Sequence, residues 1–216
     1  MMIKTWVFDL DNTLYDYDSC NQGAERVLFQ ELNHRWGLDE CACKRLLRDA
    51  KSDVKQRLGT VASSHNRLLY MQNICERLGV KSSQFALGLY DVYWESFLTQ
   101  VRVFPQMKTL LDALKNNNKT TVLLTDLTAQ IQFRKLRSMQ LEDSFDYVIT
   151  SEEVGIEKPN EEMFRRVIEK TGCKKEEIIM IGDDRVKDVE GAEKYGFRAL
   201  LFRNDESFYD EVQLWM

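Results

Sequence analysis

Two carboxylates and a hydroxyl lie at two-residue intervals directly after an apolar segment near the N-terminus. The segment covers residues 5–8, and the polar side chains are those of Asp9, Asp11 and Thr13. Alternate residues of an extended chain point the same way, at a rise of roughly 3.3 Å per residue, so Asp9 and Asp11 can face one pocket. Carboxylates this close repel each other unless a cation, a shared proton or exposure to water relieves the repulsion. Taken alone, the pattern fits a chemical site or a solvated turn.

Three further polar clusters follow apolar segments later in the chain. They are Thr125-Asp126 after residues 122–124, Gly155-Ile156-Glu157-Lys158-Pro159 downstream of residues 147–149, and Gly182-Asp183-Asp184 with Asp188 after residues 178–181. Each has an ordinary interpretation as a strand-end hydroxyl, a surface lysine or carboxylates at a helix start. In open parallel sheets, however, ligands bind beyond the carboxyl ends of the strands, so the joint occurrence of these clusters indicates one site.

The residue types in these clusters suit phosphoryl chemistry. Asp9, Asp11 and Asp183 offer hard oxygen ligands, which Mg²⁺ prefers. Thr125 and Lys158 supply a hydroxyl and a cation for the oxygens of a phosphoryl group. A metal and Lys158 would keep one aspartate ionised as a nucleophile, and a second carboxyl could donate a proton to the leaving group and later take one from water.

The order of predicted elements explains how such a site is assembled. Four helical patterns with a period of 3.6 residues fill about residues 17–100 and predict a small all-helical unit. From residue 103 strands and helices alternate, with Pro105 at a helix start and Asn160 as a helix N-cap. This alternation predicts an α/β fold with a Rossmann-like open parallel sheet. We expect residues 1–15 and 103–216 to form the core, with residues 16–102 inserted as a helical domain.

Bulk properties limit the function classes. The chain of 216 residues has a net charge of -5, which argues against nucleic acid or an anionic membrane as a partner. It has no apolar run of about 18 residues and no signal-peptide pattern near the N-terminus. The five cysteines form no C-x-x-C pair, so we expect reduced thiols in a cytoplasmic protein, as a monomer or a homodimer.

Together the clusters resemble the motifs of the haloacid dehalogenase (HAD) superfamily, in its phosphatase type. The matching segments are Phe8-Asp9-Leu10-Asp11-Asn12-Thr13-Leu14, Leu124-Thr125, Gly155-Ile156-Glu157-Lys158-Pro159, and Gly182-Asp183-Asp184 with Asp188-Val189-Glu190-Gly191-Ala192. The resemblance spans the α/β core. The helical insertion resembles the family's first cap type, which follows motif one.

The resemblance implies a role for each matching residue. Asp9 would be the nucleophile that forms an aspartyl-phosphate, and Asp11 would be the general acid and then base, with its backbone carbonyl on Mg²⁺. Thr125 and Lys158 would hold the phosphoryl group, and Asp183 would be the other protein ligand of the metal.

Three more residues would support this set. Asp188, assisted by Asp184, would orient metal-bound water, and Thr13 would cap the local turn and orient Asp11. The expected activity is Mg²⁺-dependent hydrolysis of a small phosphorylated metabolite, such as a sugar phosphate, a nucleoside monophosphate or a phosphorylated acid.

One departure from the family pattern concerns motif two, which commonly continues with Asn and Gly. Here Asp126 and Leu127 follow Thr125. A carboxylate beside a phosphate repels it unless the carboxylate points away or reaches a cation. Asp126 is therefore retained as a substrate-binding candidate whose surroundings decide its effect.

Other functions remain open. A 2-haloacid dehalogenase of the same superfamily needs neither Mg²⁺ nor an acid at the position of Asp11, so Asp11 and Asp183 favour phosphate chemistry. A phosphomutase shares the first half of the reaction. A non-catalytic binding protein on this fold predicts the loss of a catalytic position, and every position is present.

The predicted cap has one segment with residues suited to a substrate. Residues 59–67 interrupt the helical pattern with small and polar side chains, and His65 and Arg67 could bind a polar or anionic group. The alternative is a helix capped by Ser63 or Ser64 and followed by solvated residues.

Overall fold

The computed structural model describes residues 2–216, and their regular elements alternate as an α/β chain. The strands are β1 (Thr5–Phe8), β2 (Thr120–Thr125), β3 (Tyr147–Thr150), β4 (Ile178–Gly182) and β5 (Arg198–Leu201). The α-helices are α1 (Tyr17–Trp36), α2 (Glu40–Leu58), α3 (Arg67–Arg77), α4 (Ser82–Gln100), α5 (Pro105–Asn116), α6 (Ala129–Met139), α7 (Ser151–Val154), α8 (Glu161–Thr171), α9 (Gly191–Tyr195) and α10 (Glu206–Gln213). Short 3₁₀ turns cover Ala62–His65 and Lys175–Glu177, and a π-helix covers Arg185–Glu190.

All five strands lie in one parallel sheet with the order β3-β2-β1-β4-β5. Strand β1 is fully buried, as expected for the centre of a sheet that is covered on both faces. This confirms the predicted α/β fold class.

The central position of β1 determines where the site forms. In the register Phe8 pairs with Leu123 of β2 and with Ile181 of β4, and the amide of Asp9 donates to the carbonyl of Ile181 at 2.9 Å. The chain builds outward from β1 in one direction through β2 and β3 and in the other through β4 and β5. Such a switch point is where open parallel sheets bind ligands.

The chain divides into two compact units. The first runs to Asp16 and resumes over Arg102–Met216, and the second is Tyr17–Val101. The first contains the sheet, whose core includes Val7, Val122, Met180 and Phe164. No helix within residues 2–216 combines the length and the apolarity needed to cross a bilayer.

The second unit contains α1 to α4 and the 3₁₀ turn, and its interior is rich in aromatic rings. Tyr93, Trp94 and Phe97 of α4 pack against one another with ring centroids 5.0–6.1 Å apart. Helix α3 is capped by Asn66, whose side chain accepts from the amide of Leu68 at 2.9 Å, rather than by Ser63 or Ser64.

Predicted and observed elements differ most after β4. The alternation of strands and helices in the sequence predicts one helix near residues 186–195. In the structure a wide π turn over Arg185–Glu190 precedes α9. The side chain of Asp184 caps the amides of Val186 and Lys187 at 2.9 and 3.0 Å. The carboxylate of Asp188 turns back to accept from the amide of Asp184 at 3.1 Å, so the wide turn directs Asp188 toward the strand ends.

Candidate active site

A buried lysine lies at the centre of the strand-end cluster. The Nζ atom of Lys158 is 2.7 Å from Oδ1 of Asp9 and 2.6 Å from Oδ1 of Asp188, and its side chain is 2% exposed. Burial alone would lower the pKa of Lys158, but Asp188 and Asp9 raise it well above its ordinary value. Burial also raises the pKa of Asp9, and the charge of Lys158 opposes this only in part. Lys158 is therefore protonated and positively charged, whereas further positive charge near Asp9 would favour its ionised form.

Thr13 and Asp183 complete this cluster. The hydroxyl of Thr13 accepts from the amide of Asp183 at 3.1 Å and lies 3.3 Å from carboxylate oxygens of both Asp9 and Asp183. Burial, followed by the charge of Asp188, raises the pKa of Asp183 to about 6. Thr13 thus links β1 to the end of β4, a wider contact than the local turn cap expected from sequence.

The donor set of this cluster suits a divalent cation. Carboxylate oxygens of Asp9, Asp183 and Asp188 lie within 4.8 Å of one another. Lys158 pairs with two of them, Asp9 and Asp188, so the three carboxylates and the lysine have a formal charge of -2 when all are ionised. Hard oxygen ligands with this charge are what Mg²⁺ requires. The sequence predicted Asp9, Asp11 and Asp183 as the metal ligands. In the structure the carboxylate of Asp188, and not that of Asp11, lies with those of Asp9 and Asp183. The metal-binding roles of these residues stay predictions.

Asp11 makes different contacts. Its two carboxylate oxygens accept from Nζ of Lys135 at 2.7 and 2.8 Å, and the hydroxyl of Tyr15 donates to Oδ1 at 2.5 Å. Lys135, on α6, is fully buried, and the Asp11 side chain is 27% exposed. The side chain of Asp11 is thus held by a lysine that the sequence motifs do not include.

Thr125, the last residue of β2, is oriented by a second residue of α6. Its hydroxyl accepts from Nε2 of Gln132 at 2.6 Å and donates to the carbonyl of Asp126 at 3.1 Å. Nε2 of Gln132 also donates to that carbonyl at 2.8 Å. Thr125 is 1% exposed, and these hydrogen bonds fix the direction of its hydroxyl.

Asp126, the residue that departs from the family pattern, reaches a cation. Its Oδ1 accepts from the backbone amide of Lys158 at 3.0 Å, and its Oδ2 lies 2.7 Å from Nζ of Lys187. The carboxylate therefore supports the Lys158 loop while Lys187 offsets its charge. Leu127, where the family commonly has glycine, has a positive φ of 99°, a region that L residues rarely adopt.

Glycine at position 182 is required by the packing of Asp188. A Cβ atom there would lie 2.2–2.5 Å from the Asp188 side chain. Gly191 is similarly confined, since its Cβ would lie 2.8 Å from Pro159. Both glycines let the π turn and the Lys158 loop approach closely, so they position the cluster without taking part in its chemistry.

Three residues that contact the predicted site belong to none of the sequence motifs, namely Gln132, Lys135 and Lys187. Two of them lie three positions apart on α6, and both are fully buried although they are polar. Phe133 between them is 55% exposed. On α6 polar residues are thus buried and an aromatic residue is exposed, the reverse of the usual pattern. This is the one signal that could have pointed to α6, and it requires knowledge of which face of the helix is buried.

The two predicted cap residues lie in the helical unit. Arg67 is 6% exposed; its guanidinium donates to the carbonyl of His65 at 2.8 Å and to the hydroxyl of Tyr17. The rings of Tyr70, Tyr93 and Trp94 surround it at 5.6–5.7 Å. His65 is half-buried at the end of the 3₁₀ turn. The substrate-binding role of both residues stays a prediction.

Known proteins resemble the chain over almost its whole length. The sequence model of the haloacid dehalogenase-like hydrolases matches residues 6–202. A ribulose-1,5-bisphosphate 5-phosphatase from Halopiger xanaduensis is 35% identical over 95% of this chain and 87% of its own length. A glyceraldehyde 3-phosphate phosphatase from Methanothermobacter thermautotrophicus is 29% identical over 98% of this chain and 92% of its own length.

Solved structures share the fold. The HAD-hydrolase YfnB from Bacillus subtilis, in a magnesium-bound crystal form, aligns with a TM-score of 0.75 at 19% identity and covers 100% of this chain and 99% of its own. At this identity the likeness shows the fold alone. The family model and the relative that is 35% identical show more than a shared fold: the chain belongs to the haloacid dehalogenase-like hydrolases.

Proposed function

We propose that this hydrolase is a Mg²⁺-dependent phosphatase that acts on a small sugar phosphate through an aspartyl-phosphate. The observation that carries the proposal is the cluster of Asp9, Asp183 and Asp188 beside the buried Lys158, which has a formal charge of -2 when all four groups are ionised. The relatives described above are named as phosphatases of ribulose 1,5-bisphosphate and glyceraldehyde 3-phosphate, which supports a sugar phosphate as the substrate.

In the first step Asp9 is the nucleophile. A carboxylate oxygen of Asp9 forms a bond to phosphorus, and the bond from phosphorus to the sugar oxygen breaks. Asp11 gives a proton to that departing oxygen, so the sugar leaves as an alcohol. Lys158, already 2.7 Å from Asp9, binds the phosphoryl oxygens together with the hydroxyl of Thr125.

In the second step water removes the phosphoryl group from Asp9. Asp11 takes a proton from the water as the water oxygen bonds to phosphorus, and the bond to Asp9 breaks to release inorganic phosphate. Bound to Asp9, Asp183 and the backbone carbonyl of Asp11, with Asp188 beside them, Mg²⁺ would supply positive charge for the phosphoryl oxygens.

The helical unit of residues 17–101 is proposed to act as a cap that selects the leaving group. Caps of this kind exclude water and complete the site. His65 and Arg67 are the contacts with the sugar that the sequence predicted. Arg67 is buried among three aromatic rings, so we expect it mainly to stabilise the helical unit. Dehalogenation is the less favoured alternative, because it uses neither an acid at Asp11 nor a metal position at Asp183.

A substrate panel tests this function. The purified protein is assayed for inorganic phosphate release from glyceraldehyde 3-phosphate, ribulose 1,5-bisphosphate, nucleoside monophosphates, phosphoserine and 4-nitrophenyl phosphate, with Mg²⁺ and with EDTA. We expect Mg²⁺-dependent release that is fastest for a sugar phosphate and absent in Asp9→Asn, which controls for contaminating phosphatases. Chloride release from 2-chloropropionate, isomerisation of a sugar phosphate without phosphate release, or no turnover of the panel would each contradict the proposal.

A further inference from the structure

Helix α6 turns a lysine inward against the proposed acid. Lys135 is fully buried, and its Nζ atom donates to both carboxylate oxygens of Asp11 at 2.7 and 2.8 Å. Tyr15 donates to the same carboxylate and lies with its ring 5.9 Å from Nζ. A buried ammonium is costly unless it is paired and well aligned, so this two-point contact specifies where the Asp11 carboxylate lies.

The helix that carries Lys135 is itself anchored in the core. Ile131, Leu136 and Met139 are buried on the same helix. Gln132, three positions before Lys135, holds the hydroxyl of Thr125 at 2.6 Å. One packed helix therefore fixes a group on each of two motifs, and supports on regular elements hold catalytic groups more accurately than loops do.

We propose that Lys135 is a positioning residue for Asp11, and that it sets the carboxyl in place for proton transfer to the leaving oxygen. This inference rests on the proposed phosphatase function. The Nζ atom of Lys135 reaches the carboxylate of Asp11, so we expect Lys135 to act on the reaction through Asp11 rather than by binding the substrate. No part of the four sequence motifs includes it.

The leaving group separates this role from a merely structural one. An alkoxide of a sugar is a poor leaving group and needs a proton as the bond to phosphorus breaks, whereas 4-nitrophenolate is a stable anion and leaves without one. General acid catalysis contributes typically about 10²–10⁴-fold, so misplacing the acid should slow the sugar phosphate selectively. The ratio kcat/KM reports the steps only up to leaving-group departure, so the second half of the reaction does not obscure the effect.

The test compares Lys135→Met with wild type on glyceraldehyde 3-phosphate and 4-nitrophenyl phosphate. We expect kcat/KM for the sugar phosphate to fall by about thirtyfold or more and that for the aryl phosphate by less than about threefold. Lys108→Met is the matched control, because Lys108 makes a 2.8 Å pair with Asp112 on the exposed face of α5. This control should leave both substrates unchanged. If the methionine variant does not fold, Lys135→Gln serves in the same comparison.

A double variant tests whether Lys135 acts through Asp11. In an Asp11→Asn background, Lys135→Met should change kcat/KM for the sugar phosphate by less than about twofold, since residues that act as a unit are non-additive. Equal losses on both substrates, or additive losses in the double variant, would overturn the inference and leave the phosphatase function standing. Failure of wild type to hydrolyse any phosphate ester would overturn both.

Discussion

Each of the two units buries a cation, but each does so with different partners. Lys158 in the α/β unit lies between the carboxylates of Asp9 and Asp188. Arg67 in the helical unit lies among three aromatic rings and donates to a carbonyl and a tyrosine hydroxyl. One buried charge is balanced by ions and the other by π faces and neutral acceptors.

The difference separates a site for chemistry from a structural centre. Around Lys158 the carboxylates outnumber the lysine, so the cluster can gain a metal and exchange its ion pairs for a phosphoryl group. Around Arg67 three rings from α3 and α4 and the hydroxyl of Tyr17 from α1 bring three helices together. We therefore expect substitutions at the first cation's partners to cost activity, and substitutions at the second cation to cost stability.

Replacement of the proposed nucleophile gives the largest expected effect. Asp9→Asn should lower kcat by about 10⁴-fold or more, because the covalent step is lost. In EDTA the same variant should unfold at an equal or higher Tm than wild type. Burial raises the pKa of Asp9, so its charge opposes folding, and Lys158 keeps Asp188 as a partner in the variant.

Phosphate release and differential scanning calorimetry measure the two effects on the same preparations. An Asp9→Asn protein that keeps more than about 1% of the activity would remove Asp9 from the nucleophile role. One that melts well below wild type would show that the ion pair with Lys158 stabilises the fold, which would erase the contrast with Arg67.

The aromatic site should respond in the opposite way. Arg67→Met should lower the free energy of unfolding by about 3 kcal/mol, through lost cation–π contacts and hydrogen bonds. Activity on 4-nitrophenyl phosphate at low temperature should stay within about threefold of wild type, because the nucleophile cluster lies in the other unit. Urea unfolding and steady-state kinetics measure these two quantities.

Arg35 offers a matched control for this prediction. Its guanidinium also lies over a ring, that of Phe85 at 6.0 Å, but its side chain is 42% exposed. Arg35→Met should change the free energy of unfolding by less than about 1 kcal/mol. If Arg67→Met instead leaves stability intact and raises KM for a sugar phosphate more than about tenfold, Arg67 is a substrate contact, as its sequence position suggested.

The features that could be predicted from the sequence are those that depend on a local pattern of residues: the strands, the polar residues at their ends and the helix starts. Short apolar strands followed by Asp9, Thr125 and Asp183 could be located because a parallel sheet buries both faces of each strand and leaves polar groups at the strand ends. Pro105 and Asn160 marked helix starts for equally local reasons. The fold class and the site's strand-end position follow from these signals.

Residues that act from helices escaped because their direction depends on packing. In the sequence, Lys135 and Gln132 occupy positions typical of the polar face of a surface helix. Their burial depends on how α6 packs against its neighbours. The burial of Arg67 likewise requires rings from more than one helix. Lys187 could not be matched to Asp126, since 61 positions separate them and the π turn that joins them has no distinctive composition.

A smaller effect is expected at the pair of Asp126 and Lys187. Lys187→Met should raise KM for the phosphorylated substrate about tenfold, because Asp126 is then an uncompensated carboxylate near the phosphate position. Adding Asp126→Asn should return KM to within about threefold of wild type, since the Asn oxygen can still accept from the amide of Lys158. A double variant with KM as high as that of Lys187→Met would mean that Lys187 acts through the substrate or through Glu157, 3.7 Å away, rather than through Asp126.

The smallest effect concerns pH and the metal. The pKa of Asp183 is about 6 in the folded protein, above its ordinary value, so the folded state holds a proton that the unfolded state releases at lower pH. Stability from this group is present at low pH and is lost as pH rises through about 6. In EDTA, Tm should therefore fall by a few degrees more between pH 5 and 7.5 in wild type than in Asp183→Asn, and Mg²⁺ should restore it at pH 7.5.

Calorimetry at the two pH values, with and without Mg²⁺, makes this measurement. Asp143→Asn, which removes an exposed carboxyl of the same unit, should behave as wild type. If Asp183→Asn loses Tm as steeply as wild type and still gains it back with Mg²⁺, the titrating charge and the metal ligand are not Asp183. The negative charge that distinguishes the Lys158 cluster from the Arg67 site would then come from Asp9 and Asp188 alone. Lys158 pairs with both and offsets one of their two charges.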